Sequence, residues 1–179
     1  QARLLMMQTG EVLSSFNAVS RKSCCIFSAT IQDDFFVLLR QHGRVDAAST
    51  TTNGMSFTAG RLSFVYGLQG SCVAIDTLCS SSLVGLSLAA LTLKCTDSRH
   101  AICTSSNTCT NVQKTMMICK VSALSWTGRC RTLDSSCDGD GRGEGAATVV
   151  LGWQASGAAR NTQLLAREAS SPGVEPATS

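Results

Sequence analysis

The order of apolar patterns along this 179-residue chain predicts a layered α/β domain. Helix-period and strand-like segments alternate along the chain. One short β-like run, Cys72-Val73-Ala74-Ile75, leads through Asp76 into a strongly apolar helical segment over 83–93, and there is no internal repeat.

Taken in order, Leu4 to Leu13 reads as a helix, Cys24 to Ser28 as a short strand, and Gln32 to Leu39 as a helix carrying Phe35, Phe36, Leu38 and Leu39. Ala47 to Gly54 is polar and turn-rich. Phe57 to Tyr66 is helical, and a strand then runs into Asp76. The segment LVGLSLAALTL over 83–93 is apolar around nearly the whole helix, which predicts burial on all sides. It is shorter than the roughly 20 apolar residues of a membrane span. A strand follows at Ala101, then a helix from Val112 to Lys120 and a strand from Ala147 to Leu151. Beyond Gly152 the chain becomes small, polar and proline-bearing, so the expected organisation is one domain over 1–151 and a disordered tail over 152–179.

Composition narrows the class. The net charge of +3 is spread rather than clustered, which gives no nucleic-acid footprint. Ten cysteines contain no C-x-x-C pair, so zinc ribbons and dithiol redox motifs are disfavoured and no metal or cofactor is expected. With an apolar fraction of 44% and no secretory leader, a disulfide framework is not expected either. Cysteines other than Cys79 are read as mostly buried thiols acting as small hydrophobes.

Cys79 differs because of its place. It opens the apolar helix where the preceding strand ends, and a helix start presents unpaired N–H groups and a positive dipole end. Both favour a thiolate and can cradle an oxyanion. Ser80, Ser81 and Ser82 are expected to cap this helix with their hydroxyls. A serine-hydrolase elbow is excluded, since no G-x-S-x-G occurs. The segment from Asp134 to Gly145 is close to a calcium loop, but Gly145 stands where the bidentate glutamate belongs. It also lacks the G-K-[ST] ending of a phosphate loop.

Two blocks carry a resemblance. NGMSFTAGRLSFVYGLQGSCVAIDTLCSSSL, from Asn53 to Leu83, and ALSWTGRCRTLDSSCDGDGRGEGAATVVL, from Ala123 to Leu151, resemble in order and spacing the nucleophile block and the later glycine-rich block of the β-ketoacyl synthases. QARLLMMQTGEVL at the start is a weaker match. The resemblance implies a thiolase-like αβα architecture, here one half of a duplicated fold. It implies that Cys79, within the Thr77–Ser80 turn, accepts an acyl group from a carrier thioester, and that a decarboxylated malonyl thioester then attacks it in a Claisen condensation. It further implies an acyl carrier protein as partner, and a homodimer joined through the strand matching Cys72 to Ile75. Asp138 and Glu144 match acidic positions of a structural loop near the active-site floor, where scaffolding is favoured over direct catalysis.

The family's two histidines and lysine, in HGTGT-like and NxGH-like motifs, do not occur, and His42 and His100 stand in neither context. His100 is expected roughly 20 Å from Cys79, at the far end of the helix. Leu78 replaces the usual alanine, Ser71 a proline, Trp126 a proline and Asp140 a tyrosine. Leu78 adds bulk in a crowded elbow, and is expected either to narrow the acyl pocket or to mark a relaxed, non-catalytic copy. Two functions therefore stand: the nucleophile-bearing half of a condensing acyltransferase, or a non-catalytic ketosynthase remnant that at most pairs with a related subunit. No membrane role is expected. With targeting information absent or lost with a missing beginning, the expected compartment is the cytoplasm, with a plastid the alternative.

Overall fold

A computed structural model describes residues 1–15, 19–30, 34–46, 49, 51, 54–156 and 159–170. Helix α1 (Ala2–Ser15) precedes strand β1 (Cys24–Thr30), helix α2 (Asp34–Gln41), helix α3 (Met55–Tyr66) and strand β2 (Cys72–Ile75). A 3-10 turn (Leu78–Ser80) then leads into helix α4 (Ser81–Cys95), followed by strand β3 (His100–Asn107), helix α5 (Val112–Lys120) and strands β4 (Gly145–Ser156) and β5 (Ala159–Ser170). The polar stretch expected over 47–54 and the start of the helix expected from Gln32 fall partly outside the described residues.

The sheet has the order β2-β1-β3-β4-β5. β1 pairs in parallel with both β2 and β3, whereas β4 is antiparallel to β3 and to β5. β1 is therefore central to the parallel part, and all seven of its residues are buried. That explains its unbroken CCIFSAT run, since a strand covered on both faces need not alternate. β2 lies at the sheet edge, as expected for the strand matching Cys72 to Ile75.

Helices cover both faces. On one, Leu5, Val12 and Leu13 of α1 and Leu62 of α3 meet Cys24, Ile26, Ile102 and Val150. On the other, Ala89 and Leu93 of α4 meet Cys25, Phe27, Ala101 and Cys103. Alternation along the strands sorts these sets, because successive side chains point to opposite faces.

Three expectations are corrected. First, α4 is not buried on all sides. Only Ser81, Gly85, Ala89 and Leu93 are buried, a stripe of i, i+4 spacing, while Leu83 and Leu91 are 65% and 56% exposed. Apolar composition expresses a capacity for burial, and a one-sided sheet contact uses only the stripe of small residues that lets the backbones approach. Together with its leading turn, Leu78–Cys95 is long and apolar enough to cross a membrane by length and composition. Its contacts with β1 and β3 are those of a helix lying across a sheet.

Second, the segment expected as a tail continues β4 to Ser156 and returns as β5, in register from Ser156↔Ala159 to Ala146↔Ser170. A register shift between Val150 and Leu151 marks an irregularity in this pair. Backbone pairing along β4 supplies what apolar content does not. Residues 171–179 of the expected tail lie outside the described residues.

Third, among cysteines other than Cys79, only Cys24, Cys25 and Cys103 are buried, while Cys72, Cys95, Cys119, Cys130 and Cys137 are exposed. The buried three sit on β1 and β3, so strand position decides burial. Burial pushes the Cys24 thiol up to about 12 and the Cys103 thiol up to about 11. Both are kept as inert, protonated thiols.

Candidate active-site turn at the carboxyl edge of the sheet

β1, β2 and β3 run in one direction, so Ile75, Thr30 and Asn107 end at the same edge. β4 enters at that edge, with Gly145 opposite Asn107. The turn bearing Cys79 and the loop bearing Glu144 therefore share the carboxyl edge, where open α/β sheets place their ligand sites. His100 starts β3 at the opposite end, as expected, and its Nδ1 accepts a hydrogen bond from the Ser20 N–H at 3.3 Å.

The Cys79 turn is tied by its own residues. Asp76 Oδ1 accepts the Leu78 N–H at 3.0 Å, and Ser81 Oγ accepts the Thr77 N–H at 2.8 Å. The Ser81 hydroxyl donates to the Leu78 carbonyl at 2.6 Å, and the Ser80 hydroxyl lies 2.8 Å from the Thr77 carbonyl and 2.9 Å from Thr77 Oγ1. These bonds correct the capping expectation: the Ser80 side chain makes no cap bond to α4, and the Ser80 and Ser81 hydroxyls face back into the turn. The first N–H of α4, that of Ser81, donates to the Leu78 carbonyl, and the Cys79 thiol in this turn is exposed.

Leu78 takes φ of +57°, a left-handed conformation that disfavours L side chains. This sharp reversal turns the chain from strand to helix. The expectation that Leu78 crowds the elbow is corrected, because its side chain is 66% exposed and points away from the packed interior. Its bulk bears on whatever approaches from solvent.

Gly85 brings the helix close to the sheet. A Cβ there would stand 3.1 Å from Cys103 Sγ and 3.3 Å from Ile75 Cδ1. The start of α4 is thus held over β3, where Cys103 Sγ lies 3.7 Å from the Ser82 carbonyl.

At the other end of this edge, Glu144 latches two loops. Its Oε1 accepts the Cys109 N–H, while Asn107 Nδ2 donates to the Gly143 carbonyl at 2.6 Å and Cys109 Sγ lies 3.6 Å from the same oxygen. This arrangement holds the segment leading into α5, whose N-cap Asn111 accepts from the Gln113 N–H at 2.9 Å. Asn107 and Cys109 carried no sequence signal, because their partners lie 34 to 36 residues away.

Asp138 is exposed in the turn-rich loop before β4, and a hydrogen bond from the Ser125 hydroxyl, with smaller help from the Trp126 N–H and the Arg131 charge, holds its carboxyl below the ordinary range. In the same loop Gly139 approaches so closely that a Cβ would lie 2.5 Å from the Leu124 carbonyl carbon. Thr77 and Ser80 are brought together with Cys79. Asp138 and Glu144 belong to the separate loop that enters β4. Among the described residues no group of three or more His, Cys, Asp or Glu is arranged to hold a metal ion.

Comparison with known proteins places this geometry. Residues 1–155 match the family model described as β-ketoacyl synthase, N-terminal domain. One of the phenolphthiocerol/phthiocerol polyketide synthase proteins of Mycobacterium tuberculosis (strain ATCC 25618 / H37Rv) is 35% identical over 158 residues, covering 84% of this chain and 7% of that protein. Another protein of the same synthase, from M. tuberculosis (strain CDC 1551 / Oshkosh), is 42% identical over 107 residues, 60% of this chain and 7% of that protein. Among solved structures, the ketosynthase from module 6 of the bacillaene synthase of Bacillus subtilis 168 superposes with a TM-score of 0.75 at 25% identity, covering 85% of this chain and 26% of that one. An oxazolomycin ketosynthase domain from Streptomyces albus JA3453 gives 0.73 at 26% identity, over 84% and 27%. The chain thus spans under a tenth of these synthases and about a quarter of a solved ketosynthase chain, and its mixed sheet is part of their thiolase-like fold.

Proposed function

Because this chain belongs to the β-ketoacyl synthase family, through that family's N-terminal domain, we propose that it is the nucleophile-bearing part of a condensing acyltransferase of polyketide or fatty-acid synthesis. The observation that carries the proposal is the exposed Cys79 thiol, held in a hydrogen-bonded turn at the start of α4. A thiolate there attacks the carbonyl carbon of an acyl thioester. The new C–S bond forms as the carrier thiolate leaves, and the acyl group rests on Cys79. The Cys79 backbone N–H is one candidate donor for the oxyanion of the tetrahedral intermediate.

In the second half-reaction a malonyl thioester loses carbon dioxide, and its enolate attacks the Cys79 thioester. A carbon–carbon bond forms and Cys79 leaves as thiolate. That step calls for groups that stabilise the enolate, and His100, at the opposite end of the sheet from Cys79, is not placed to supply one. The condensation belongs to a larger assembly of which this chain is one part. A carrier domain bearing the phosphopantetheine thioester is the proposed donor, Thr77 and Ser80 the residues that hold the turn, and Asp138 and Glu144 scaffolding for the neighbouring loop. The β2 edge is the proposed homodimer seam, since among the described residues β2 pairs in the sheet with β1 alone.

Incubation with a butyryl thioester of N-acetylcysteamine, followed by peptide mass mapping, tests the first half-reaction. Acylation should concentrate on Cys79 over the exposed Cys72, Cys95, Cys119, Cys130 and Cys137, and vanish in Cys79→Ala. Uniform modification of the exposed cysteines would favour the second reading, a non-catalytic ketosynthase remnant.

A further inference from the structure

We propose that Arg142 is a receptor for a carboxylate brought from outside this chain. Its Nε and Nη2 atoms are shielded from solvent and donate to nothing among the described residues. Those two nitrogens form the side-on edge of a guanidinium, whose parallel N–H bonds match the two oxygens of a carboxylate. A guanidinium whose buried donors are unmet is costly to keep. Within the same loop Glu144 Oε1 accepts the Cys109 N–H and Asp138 the Ser125 hydroxyl, and no acid there, Asp140 included, hydrogen-bonds either nitrogen. The residue as a whole is only partly buried, and a Cβ on the adjacent Gly143 would meet nothing within 4 Å. A carboxylate therefore reaches the two shielded nitrogens by displacing the atoms that cover them.

The loop enters β4 at the carboxyl edge of the sheet, which admits two sources for the same chemistry. One is an acidic side chain from a protein segment that completes the domain. The other is the free carboxyl of a malonyl-type substrate, and only this source rests on the condensing-enzyme reading. Cys79 acylation and carboxylate binding are separate events, so the Cys79→Ala background keeps a failure of one distinct from a failure of the other.

Thermal denaturation of the 179-residue chain in that background is the test, with sodium acetate, N-acetyl-aspartate amide and S-malonyl-N-acetylcysteamine as probes. Sodium chloride at equal ionic strength and S-acetyl-N-acetylcysteamine, which lacks a carboxylate, are the controls. The carboxylates should raise Tm by roughly 3–5 °C for each tenfold excess over half-saturation. Arg142→Lys, which keeps the charge without the fork, should weaken the response, and Arg142→Met should abolish it. A malonyl thioester acting at tenfold lower concentration than the other two points to substrate, and equal potency to a protein side chain. Carboxylates that act no better than chloride, or equally on Arg142→Met, overturn the proposal.

Discussion

Gly85 sets how closely α4 lies on the sheet, and enlarging it tests whether that contact holds the Cys79 turn in place. A Cβ at this position stands 3.1 Å from Cys103 Sγ, 3.3 Å from Ile75 Cδ1 and 3.9 Å from Phe27 Cβ. In Gly85→Ala the helix gains about 0.8–1.0 kcal/mol of propensity. The two closest contacts are side-chain ends that need yield only a few tenths of an ångström, so the net change should stay within about 1 kcal/mol. Gly85→Val adds two further methyl groups against a site already filled, which costs about 1–3 kcal/mol of overpacking. For a chain of this size that is a fall in Tm of about 3–10 °C. Removing the nearest obstacle in Gly85→Val with Cys103→Ala should recover part of the loss, with a coupling of about 0.5–3 kcal/mol in the double-mutant cycle. Differential scanning fluorimetry reads the stability, and the rate of Cys79 alkylation reads the turn. A Gly85→Val chain as stable as the parent, or a strictly additive cycle, would refute the idea that this close approach seats the helix.

Burial, and next to it the Arg99 charge, holds the His100 imidazole below its ordinary 6.5. The unfolded chain then takes up the proton first, so the stability from neutral His100 is complete above pH 6.5 and drains away as pH falls from there toward the folded value. Urea melts from about pH 5 to about pH 7.5 should show that slope, and His100→Gln should flatten it; parallel curves for the two chains would contradict the assignment. Gly70→Ala puts a Cβ 2.5 Å from the Cys24 carbonyl oxygen and 2.8 Å from the Cys25 nitrogen, backbone atoms that cannot step aside. It should cost about 2–4 kcal/mol, against a loss within about 0.5 kcal/mol for Gly143→Ala, and equal melting temperatures would count against the geometry. Leu78→Ile places a β-branched residue at φ +57° while the side chain remains exposed, so a loss of about 1 kcal/mol should appear that packing does not explain. An unchanged midpoint in denaturant would show that the turn is relaxed.

Much of the edge around Cys79 was legible along the chain because it is local. The run from Cys72 to Ser82 carries a strand, a turn and a helix start within eleven consecutive residues, and the hydrogen bonds that tie the turn join residues at most four apart. The Glu144 latch was not legible. It joins residues 34 to 36 positions apart, which meet only because Asn107 and Gly145 end and begin neighbouring strands. β5 leaves no sequence signal for a related reason: ladder hydrogen bonds use backbone groups that every residue but proline possesses, so a polar segment pairs without an apolar signature.

By itself the sequence determined the alternation of helices and strands, the place of Cys79 where a strand gives way to a helix, and membership of a family through two separated blocks. Only the tertiary structure decided which face of α4 is buried, which cysteines are shielded, that Ser81 turns back into the elbow, and that the Arg142 fork has no acid to grip among the described residues. Periodicity along a chain records which residues are able to be covered. What covers them depends on strand order and register, which bring distant segments together.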